Sequence, residues 1–282
     1  MTSMAQGMLW PRTVDEATAM LARDPEARPL AGGATLVAMM NARVLEPLAL
    51  VNLSRIDELR GIRGEADGSV RIGAFTRHAE TAVCALLRET AAVVRQAASK
   101  IANATVRNMG TIGGSISFAD PGLDYPPALV AAGASIEIAG TSGRRRVAAA
   151  DFFVDWYTTA LEPGEIVTAV LLAAPRAGRA AYVKHARVAS DFATASAAVC
   201  IDGAGPVRAV IGACGPTPVR DDAADALLSA DRSDAAIVRA AALLEARADP
   251  LDDVRGSAEY RRLLIPRLLH RAVRRAEQGA EP

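Results

Sequence analysis

The sequence predicts an α+β protein in two parts, a larger α+β part followed by a part built from one β-sheet and several helices. The chain has 282 residues, which is enough for more than one hydrophobic core. Its first part mixes short segments of strand length with longer segments that have helical spacing. The composition changes at Pro175-Arg176-Ala177-Gly178, and beyond that point strand-like segments come first and helical segments follow.

The first predicted elements form a small βαβ unit. The segment from Thr13 to Glu16 matches a capping box and predicts a helix that continues to about Ala22. Residues 28–31 predict a short strand, and the turn AGGAT at 31–35 leads into a helix over LVAMMNA. The next apolar segment, LALVNL, has the composition of a buried strand. A glycine turn therefore lies between the first strand and its helix.

A longer mixed segment follows this unit. GIRGEADGSVRIGAF predicts two strands joined at Asp67-Gly68, and the spacing over residues 76–98 predicts a helix. The glycine-rich segment that begins at Met109 predicts a long irregular loop, and the prolines of PPALVAAG suit the first turn of the helix after it. SIEIAG and RRRVAAA predict a hairpin, and GEIVTAVLLAA predicts one more strand.

The second part of the chain predicts a three-stranded meander covered by helices. AAYVKHA, SAAVCID and PVRAVIGAC have the apolar pattern and the spacing of consecutive antiparallel strands. DDAADALLS, SDAAIVRAAALLEA and SAEYRRLLIPRLLHRAVRRAEQ then predict two or three helices.

Composition and charge exclude several functional classes. The 32 basic residues balance the 32 acidic ones, so the chain lacks the positive charge that nucleic acids or anionic membranes attract, and the run Arg144–Arg146 is interpreted as a solvated surface. The N-terminus lacks the pattern of a secretory signal, and no apolar segment reaches the length of a membrane span. The three cysteines lie too far apart for a zinc or iron–sulfur site in this chain alone. We therefore expect a soluble, cytoplasmic protein.

Two glycine turns are candidates for ligand binding, AGGAT at 31–35 and GTIGGS at 110–115. Free backbone N–H groups beside a helix start bind anions, and glycine lets a phosphate approach the backbone. Hydroxyl groups of Thr35, Thr111 and Ser115 add donors. A single turn of this kind is more often a site of tight packing. Two turns in one domain favour a diphosphate ligand, although neither matches a phosphate-binding loop of the GK[ST] or GxGxxG type.

The remaining polar candidates leave alternatives open. Asp120 precedes a proline and suits a turn. Asp124 either caps the helix that starts at Tyr125 or binds a hydroxyl group of a ligand, and both roles are compatible. The isolated residues His78 and His270 are interpreted as structural. We find no hydrolase triad, no carboxylate pair placed for acid–base catalysis and no metal-binding spacing.

Several segments resemble the FAD-binding medium subunits of molybdenum hydroxylases, the family of the carbon monoxide dehydrogenase and xanthine dehydrogenase flavoproteins. These segments are AGGATLVAMM, VNLSRIDELRGI, VRIGAFTRHAE, ATVRNMGTIGGSISFADPGLDYPPALVA, TALEPGEIV and YVKHA. The resemblance implies an FAD-binding domain of the PCMH type at residues 1–174, made of α/β subdomains at about 1–55 and 56–174. It implies a C-terminal β-sheet-plus-helices domain of the CO dehydrogenase flavoprotein type at 178–282.

The resemblance also implies which residues contact the cofactor. Asp124 matches an acid that hydrogen-bonds the adenosine or ribityl part of FAD, and Lys184 either tunes the electrostatics of the flavin or is an ordinary surface lysine. Arg28 or Leu30 begins the first contact segment. The full set of expected cofactor-binding residues is Leu30, Ala31, Gly32, Gly33, Ala34, Thr35, Leu36, Ile101, Thr111, Ile112, Gly113, Gly114, Ser115, Asp124, Leu161 and Lys184.

Three positions depart from the pattern of the family. Ala34 stands where many relatives have a polar residue, Ser115 where asparagine is common, and Phe118 where histidine is common. Serine still donates to phosphate, so FAD binding is expected to persist. Phe118 would place an apolar side chain beside the flavin. The resemblance therefore does not indicate which oxidant accepts the electrons.

The resemblance implies an electron-transfer subunit of a heterotrimeric oxidoreductase. A large subunit would carry the molybdopterin cofactor and a small subunit two [2Fe–2S] clusters, in a dimer of heterotrimers. FAD in this chain would pass electrons from the clusters to an external acceptor. The competing hypothesis is a flavin-free assembly or binding protein that retains the fold.

Overall fold

The first sheet is the predicted βαβ unit extended by one strand. The computed structural model describes residues 7–174, 177–203 and 205–279, so the predicted boundary dipeptide Pro175-Arg176 and the first six residues lie outside the described chain. The side chain of Thr13 accepts a hydrogen bond from the backbone N–H of Glu16 and starts the predicted helix. The sheet is parallel with strand order β1-β3-β2. Its elements are β1 Gly7–Leu9, α1 Val14–Arg23, β2 Ala27–Leu30, α2 Leu36–Asn41 and β3 Ala49–Asn52.

The second sheet has five antiparallel strands in the order β4-β5-β10-β6-β7. It contains the two strands predicted around Asp67-Gly68, the predicted hairpin and the predicted later strand. A two-stranded ribbon, β8 with β9, lies beside it. The strands are β4 Ile62–Gly64, β5 Val70–Gly73, β6 Ser135–Gly140, β7 Gly143–Ala148, β8 Phe153–Asp155, β9 Thr158–Thr159 and β10 Ile166–Leu172.

The helices of this part differ from the prediction at two places, the first of which is residues 76–98. They form two helices and a 3-10 turn, Glu89–Ala91, rather than one helix. Cys84 ends the first helix in an extended conformation, and Leu87 in the connection is completely buried. The chain therefore turns to place Leu87 in the core. The helices are α3 His78–Val83, α4 Ala92–Ser99, α5 Ala104–Met109, α6 Ile112–Phe118, α7 Tyr125–Ala132 and α8 Ala149–Phe152.

The prediction of a long irregular loop after Met109 is wrong. Gly113 and Gly114 of GTIGGS lie in the first turn of α6, and the hydroxyl of Thr111 accepts a hydrogen bond from the N–H of Gly114. Glycine inside a helix costs about 1 kcal/mol relative to alanine. Packing offsets this cost, because a Cβ at Gly113 would lie 2.6 Å from the Cβ of Ala74. The helix ends at Ala119, which has a left-handed conformation with φ of 51°.

The last part of the chain has the predicted meander and three helices. The antiparallel strands β11 Gly178–His185, β12 Ala195–Asp202 and β13 Val207–Gly212 pack one face on α9 Asp222–Ala230, α10 Asp234–Arg247 and α11 Ala258–Gln278. The other face contacts α4 and α7 of the preceding part, so Tyr182, Ala198 and Val210 join the larger core. Among the described residues, no helix is long and apolar enough to cross a membrane.

The buried carboxylate of Glu137 connects side chains from four strands of the five-stranded sheet. Glu137 on β6 lies 2.8 Å from the guanidinium of Arg71 and 3.3 Å from that of Arg144, and the hydroxyl of Thr168 donates to it at 2.7 Å. Arg144 begins the run that was interpreted as a solvated surface. Its side chain is partly exposed, yet it also pairs with Glu58 at 2.7 Å. The run is therefore part of an ion-pair network on the edge strand β7.

Glu137→Ala is expected to lower the free energy of unfolding by about 3 kcal/mol, because it leaves the buried guanidinium of Arg71 without its counter-charge. Urea denaturation measures the change. The control is Glu58→Ala, which removes the other partner of Arg144 from an exposed site and should cost less than about 1 kcal/mol. Equal losses in the two variants would contradict a structural role for the buried network.

Candidate functional site

One large cavity lies where the βαβ unit, the five-stranded sheet and the meander meet. Its volume is about 390 Å³, and its wall is mainly apolar with a few polar groups, as is typical of ligand sites. Leu30 and Ile112 are buried behind the wall. The predicted residues that line the cavity are Ala31, Gly32, Gly33, Ala34, Thr35, Leu36, Ile101, Thr111, Gly113, Gly114, Ser115, Asp124, Leu161 and Lys184.

The first glycine turn needs glycine for two separate reasons. A Cβ at Gly32 would lie 1.8 Å from the carbonyl oxygen of Met109, so only glycine lets this turn touch the segment before the second turn. Gly33 has a φ of +76°, a conformation that other residues rarely adopt. Among the described residues, none accepts a hydrogen bond from the N–H groups of Gly32, Gly33, Ala34 or Thr35. These four donors are available to a ligand.

The second glycine turn differs from the prediction of free N–H groups. The N–H of Ile112 donates to the carbonyl of Thr76, that of Gly113 to the carbonyl of Ala74, and that of Ser115 to the carbonyl of Thr111. The hydroxyl of Thr111 accepts the fourth hydrogen bond, from the N–H of Gly114. The first two bonds fix the start of α6 against the segment that follows the strand β5. The second turn therefore presents hydroxyl groups and the bare Cα of Gly114 to the cavity, rather than a set of free N–H groups.

An ion pair links the segment after α6 to the meander. The carboxylate of Asp124 lies 2.9 Å from the Nζ of Lys184, and the side chains of both residues are more than nine-tenths buried. Asp124 has a helical backbone and does not cap α7, so the capping alternative is wrong. Lys184 is not a surface lysine. Burial raises the pKa of Asp124, whereas Lys184 and the hydroxyl of Tyr182 lower it.

His78 is the main cavity residue that sequence reasoning did not include. It is buried, as the structural interpretation expected, but its ring also lines the cavity, with Nδ1 3.2 Å from the hydroxyl of Tyr125. Burial, followed by the positive charge of Arg107, lowers the pKa of His78 to about 4. The ring is therefore neutral near pH 7. No sequence signal marks this, because Tyr125 lies 47 residues away.

Aromatic side chains form part of the cavity wall at the side of the meander. Phe118 and Phe192 both line the cavity. Phe118 packs edge-to-face on Tyr157, with ring centroids 5.5 Å apart, and the guanidinium of Arg255 lies 4.8 Å from the ring centroid of Phe192. Phe118 makes this part of the wall apolar.

No group of three or more His, Cys, Asp or Glu side chains among the described residues lies close enough to hold a metal ion. Cys200 on β12 and Cys214 just after β13 are buried, and burial raises the pKa of each thiol to about 12. Cys84 is half-buried.

Two family models match consecutive parts of the chain. The model described as the FAD binding domain in molybdopterin dehydrogenase matches residues 3–175, and that of the CO dehydrogenase flavoprotein C-terminal domain matches residues 180–276. The chain belongs to the family of FAD-binding medium subunits of molybdenum hydroxylases. The α+β fold and the recognition of the family from sequence are confirmed.

Similar proteins span almost the whole chain. The carbon monoxide dehydrogenase medium chain of Afipia carboxidovorans is 38% identical, with 96% of each chain covered. The glyceraldehyde dehydrogenase medium chain of Sulfolobus acidocaldarius is 33% identical, with 93% of this chain and 95% of that one covered. The solved carbon monoxide dehydrogenase of Hydrogenophaga pseudoflava superposes with a TM-score of 0.92 at 35% identity and 98% coverage of both chains. These relatives are oxidoreductase subunits.

The cavity fits the FAD that characterises this family. The four free N–H groups of the first turn suit a diphosphate, and the Asp124 carboxylate is an acceptor for hydroxyl groups. A Cβ at Gly114 would lie 3.1 Å from the Thr111 hydroxyl and 3.7 Å from the Cβ of Ala31, so the missing side chain keeps open the space between the two turns. The apolar wall suits an aromatic ring.

Replacing His78 by glutamine is expected to remove one component of the acid instability of the protein. The unfolded His78 binds a proton below about pH 6.5, whereas the folded one does so only below about pH 4, so lowering the pH through this window favours the unfolded chain. The wild type should lose about 3 kcal/mol more than His78→Gln across it.

Denaturation curves recorded at a series of pH values measure this difference. His270→Gln, which changes an exposed histidine on α11, is the control and should keep the loss seen in the wild type. If His78→Gln and the wild type have parallel pH profiles, His78 is not buried as described.

Proposed function

We propose that this chain is the electron-transfer subunit of a heterotrimeric molybdenum hydroxylase. It would bind FAD in the cavity and pass electrons from [2Fe–2S] clusters of a small subunit to an external acceptor. A large subunit with the molybdopterin cofactor would oxidise the substrate. The two relatives support such an assembly, because each is the medium chain of a dehydrogenase. We place the complex in the cytoplasm as a dimer of heterotrimers, and an odd number of widely spaced cysteines is compatible with a reducing compartment.

The domain boundaries belong to the same proposal. Residues 1–174 would form the FAD-binding domain, with subdomains at about 1–55 and 56–174, and residues 178–282 would form the C-terminal domain. The cofactor would lie among all three. Support comes from the cavity wall, to which each of these units contributes residues.

The observation that carries the proposal is the convergence of separate polar groups on one cavity. The first turn at 31–35, the hydroxyls of Thr111 and Ser115, and the pair of Asp124 with Lys184 come from different elements and face the same space. Leu161 and Ile101 lie in the same wall. Such a set suits a long ligand with a diphosphate, several hydroxyl groups and an aromatic ring.

The residues of this chain would bind and orient the cofactor rather than transfer protons. Bound FAD supplies the ability to accept electrons singly and to release them singly or in pairs. The N–H groups of Gly32 to Thr35 would hold the negative charge of the diphosphate, and Asp124 would accept hydroxyl hydrogen bonds. The neutral His78 and the apolar Phe118 would exclude water from the wall.

Purification of the tagged chain from its own cells tests the proposal directly. We expect larger and smaller subunits to copurify, and acid release followed by chromatography to yield about one FAD per chain. A flavin absorption spectrum should accompany the complex. A colourless complex that takes up no added FAD would contradict FAD binding and support the flavin-free assembly protein. A flavin-containing chain without partners would contradict the heterotrimer.

Gly114→Val is expected to lower the FAD content of the purified chain at least tenfold without unfolding it. The new side chain would project between the two glycine turns, where the nearest atoms are the Thr111 hydroxyl and the Ala31 Cβ rather than backbone. A loss of this size corresponds to about 1.4 kcal/mol of binding free energy.

The matched control is Gly64→Val on the edge strand β4, where a Cβ would have nothing within 4 Å. It should keep the FAD content of the wild type, and both variants should have cooperative thermal unfolding. Normal FAD content in Gly114→Val would place the cofactor elsewhere.

A further inference from the structure

The side chain of Tyr182 approaches the cavity from behind its wall. Tyr182 is on β11, two residues before Lys184, and only 2% of its surface is exposed. Its hydroxyl donates to Oδ1 of Asp124 at 2.7 Å, whereas Lys184 donates to Oδ2 at 2.9 Å. Asp124 and Lys184 line the cavity, and Tyr182 does not. The hydroxyl of Tyr182 therefore reaches the cavity wall through Asp124.

The backbone of Tyr182 is held independently of its hydroxyl. The side-chain carbonyl of Gln96 on α4 accepts a hydrogen bond from the N–H of Tyr182 at 2.7 Å, and its amide donates to the carbonyl of Ala180 at 3.2 Å. These two bonds tie β11 to α4 much as a neighbouring strand would. Removing the hydroxyl leaves this attachment in place, so an effect on the ligand can be separated from an effect on folding.

The donors occupy one lone pair on each oxygen of Asp124, which leaves the carboxylate able to accept further hydrogen bonds. A carboxylate held from two sides loses the rotation about its last side-chain bond. Its remaining lone pairs then have a fixed direction. Charge-assisted hydrogen bonds of this kind are short and directional.

We propose that Tyr182 is a positioning residue for the cofactor, whose hydroxyl holds the Asp124 carboxylate in the orientation that accepts hydrogen bonds from hydroxyl groups of FAD. This inference rests on the proposed function, because it requires FAD in the cavity. It adds to the cofactor site a residue that lies outside the cavity wall. It also makes cofactor binding depend on how β11 packs against α4 and the start of α7.

The pH dependence of FAD binding follows from the groups around Asp124. Lys184 and Tyr182 face it from β11, Lys100 from the end of α4, and Tyr125 is the next residue of α7. Burial raises the pKa of the carboxyl, while Lys184, Tyr182 and Lys100 lower it. Loss of the Tyr182 hydroxyl should raise this pKa further. FAD affinity, which falls as Asp124 takes up a proton, should then begin to fall at a higher pH.

Tyr182→Phe in the full chain, purified with its copurifying subunits, tests the inference. Flavin titration should give a dissociation constant about tenfold higher than that of the wild type near pH 7.5, in line with the loss of a hydrogen bond to a charged group. The difference should widen as the pH is lowered into the range where Asp124 takes up a proton in the variant before it does so in the wild type. Thermal unfolding of the flavin-free chains shows whether the variant retains its fold.

Tyr260→Phe is the matched control. It removes the same atom from Tyr260 on α11, whose hydroxyl lies 3.0 Å from Nε2 of His185. His185 is on the same strand as Tyr182, and neither Tyr260 nor His185 lines the cavity. The control should bind FAD with the affinity of the wild type at every pH.

A double-mutant cycle with Asp124→Asn distinguishes positioning from a structural role. If Tyr182 acts through the carboxylate, Tyr182→Phe should change the dissociation constant less than twofold in the Asp124→Asn background. An equal loss in both backgrounds, or wild-type affinity of Tyr182→Phe across the whole pH range, would overturn the inference while leaving FAD binding intact. A wild-type chain that binds no FAD would instead contradict the proposed function and this inference together.

Discussion

The contact between Gly32 and the backbone of Met109 is the constraint on which the cavity depends. It joins the turn after β2 to the end of α5 with no side chain between them, since a Cβ at Gly32 would lie 1.8 Å from the Met109 carbonyl oxygen. Gly113 in α6 makes a similar close contact with Ala74, the residue that follows β5. Two glycines thus bring three elements within contact distance, and the cavity is the space that remains beside them.

The two glycine turns have different functions although they look alike in sequence. The first leaves its N–H groups without acceptors among the described residues, which suits a ligand with negative charge. The second uses its N–H groups to bind α6 to the segment that follows β5 and to the capping residue Thr111. It therefore acts as a rigid wall, and only its hydroxyl groups and the bare Gly114 face the cavity.

The cavity also depends on the packing of the meander against the rest of the chain. Gln96 holds β11 through its backbone, and Asp124 is bonded to two side chains of that strand. A buried carboxylate is unfavourable without such partners.

Much of the architecture was predictable from local pattern. The βαβ unit, the hairpins, the meander and the last three helices were correct, because alternation of apolar residues and capping side chains act over a few residues. Most of the residues that the family resemblance identified also line the cavity. The irregular loop expected after Met109 was wrong, since glycine content alone does not reveal that Thr111 caps a helix and that Ala74 packs against it.

Sequence by itself determined the family, most of the element order and the two glycine turns that prove to line the cavity. Only the tertiary structure decided what those residues do. It buried Lys184 and paired it with Asp124, 60 residues earlier, and it placed the hydroxyl of Tyr182 on the same carboxylate. It also placed His78 in the cavity wall. These outcomes depend on desolvation and on contacts between distant segments, which arise only when the sheets and helices pack together.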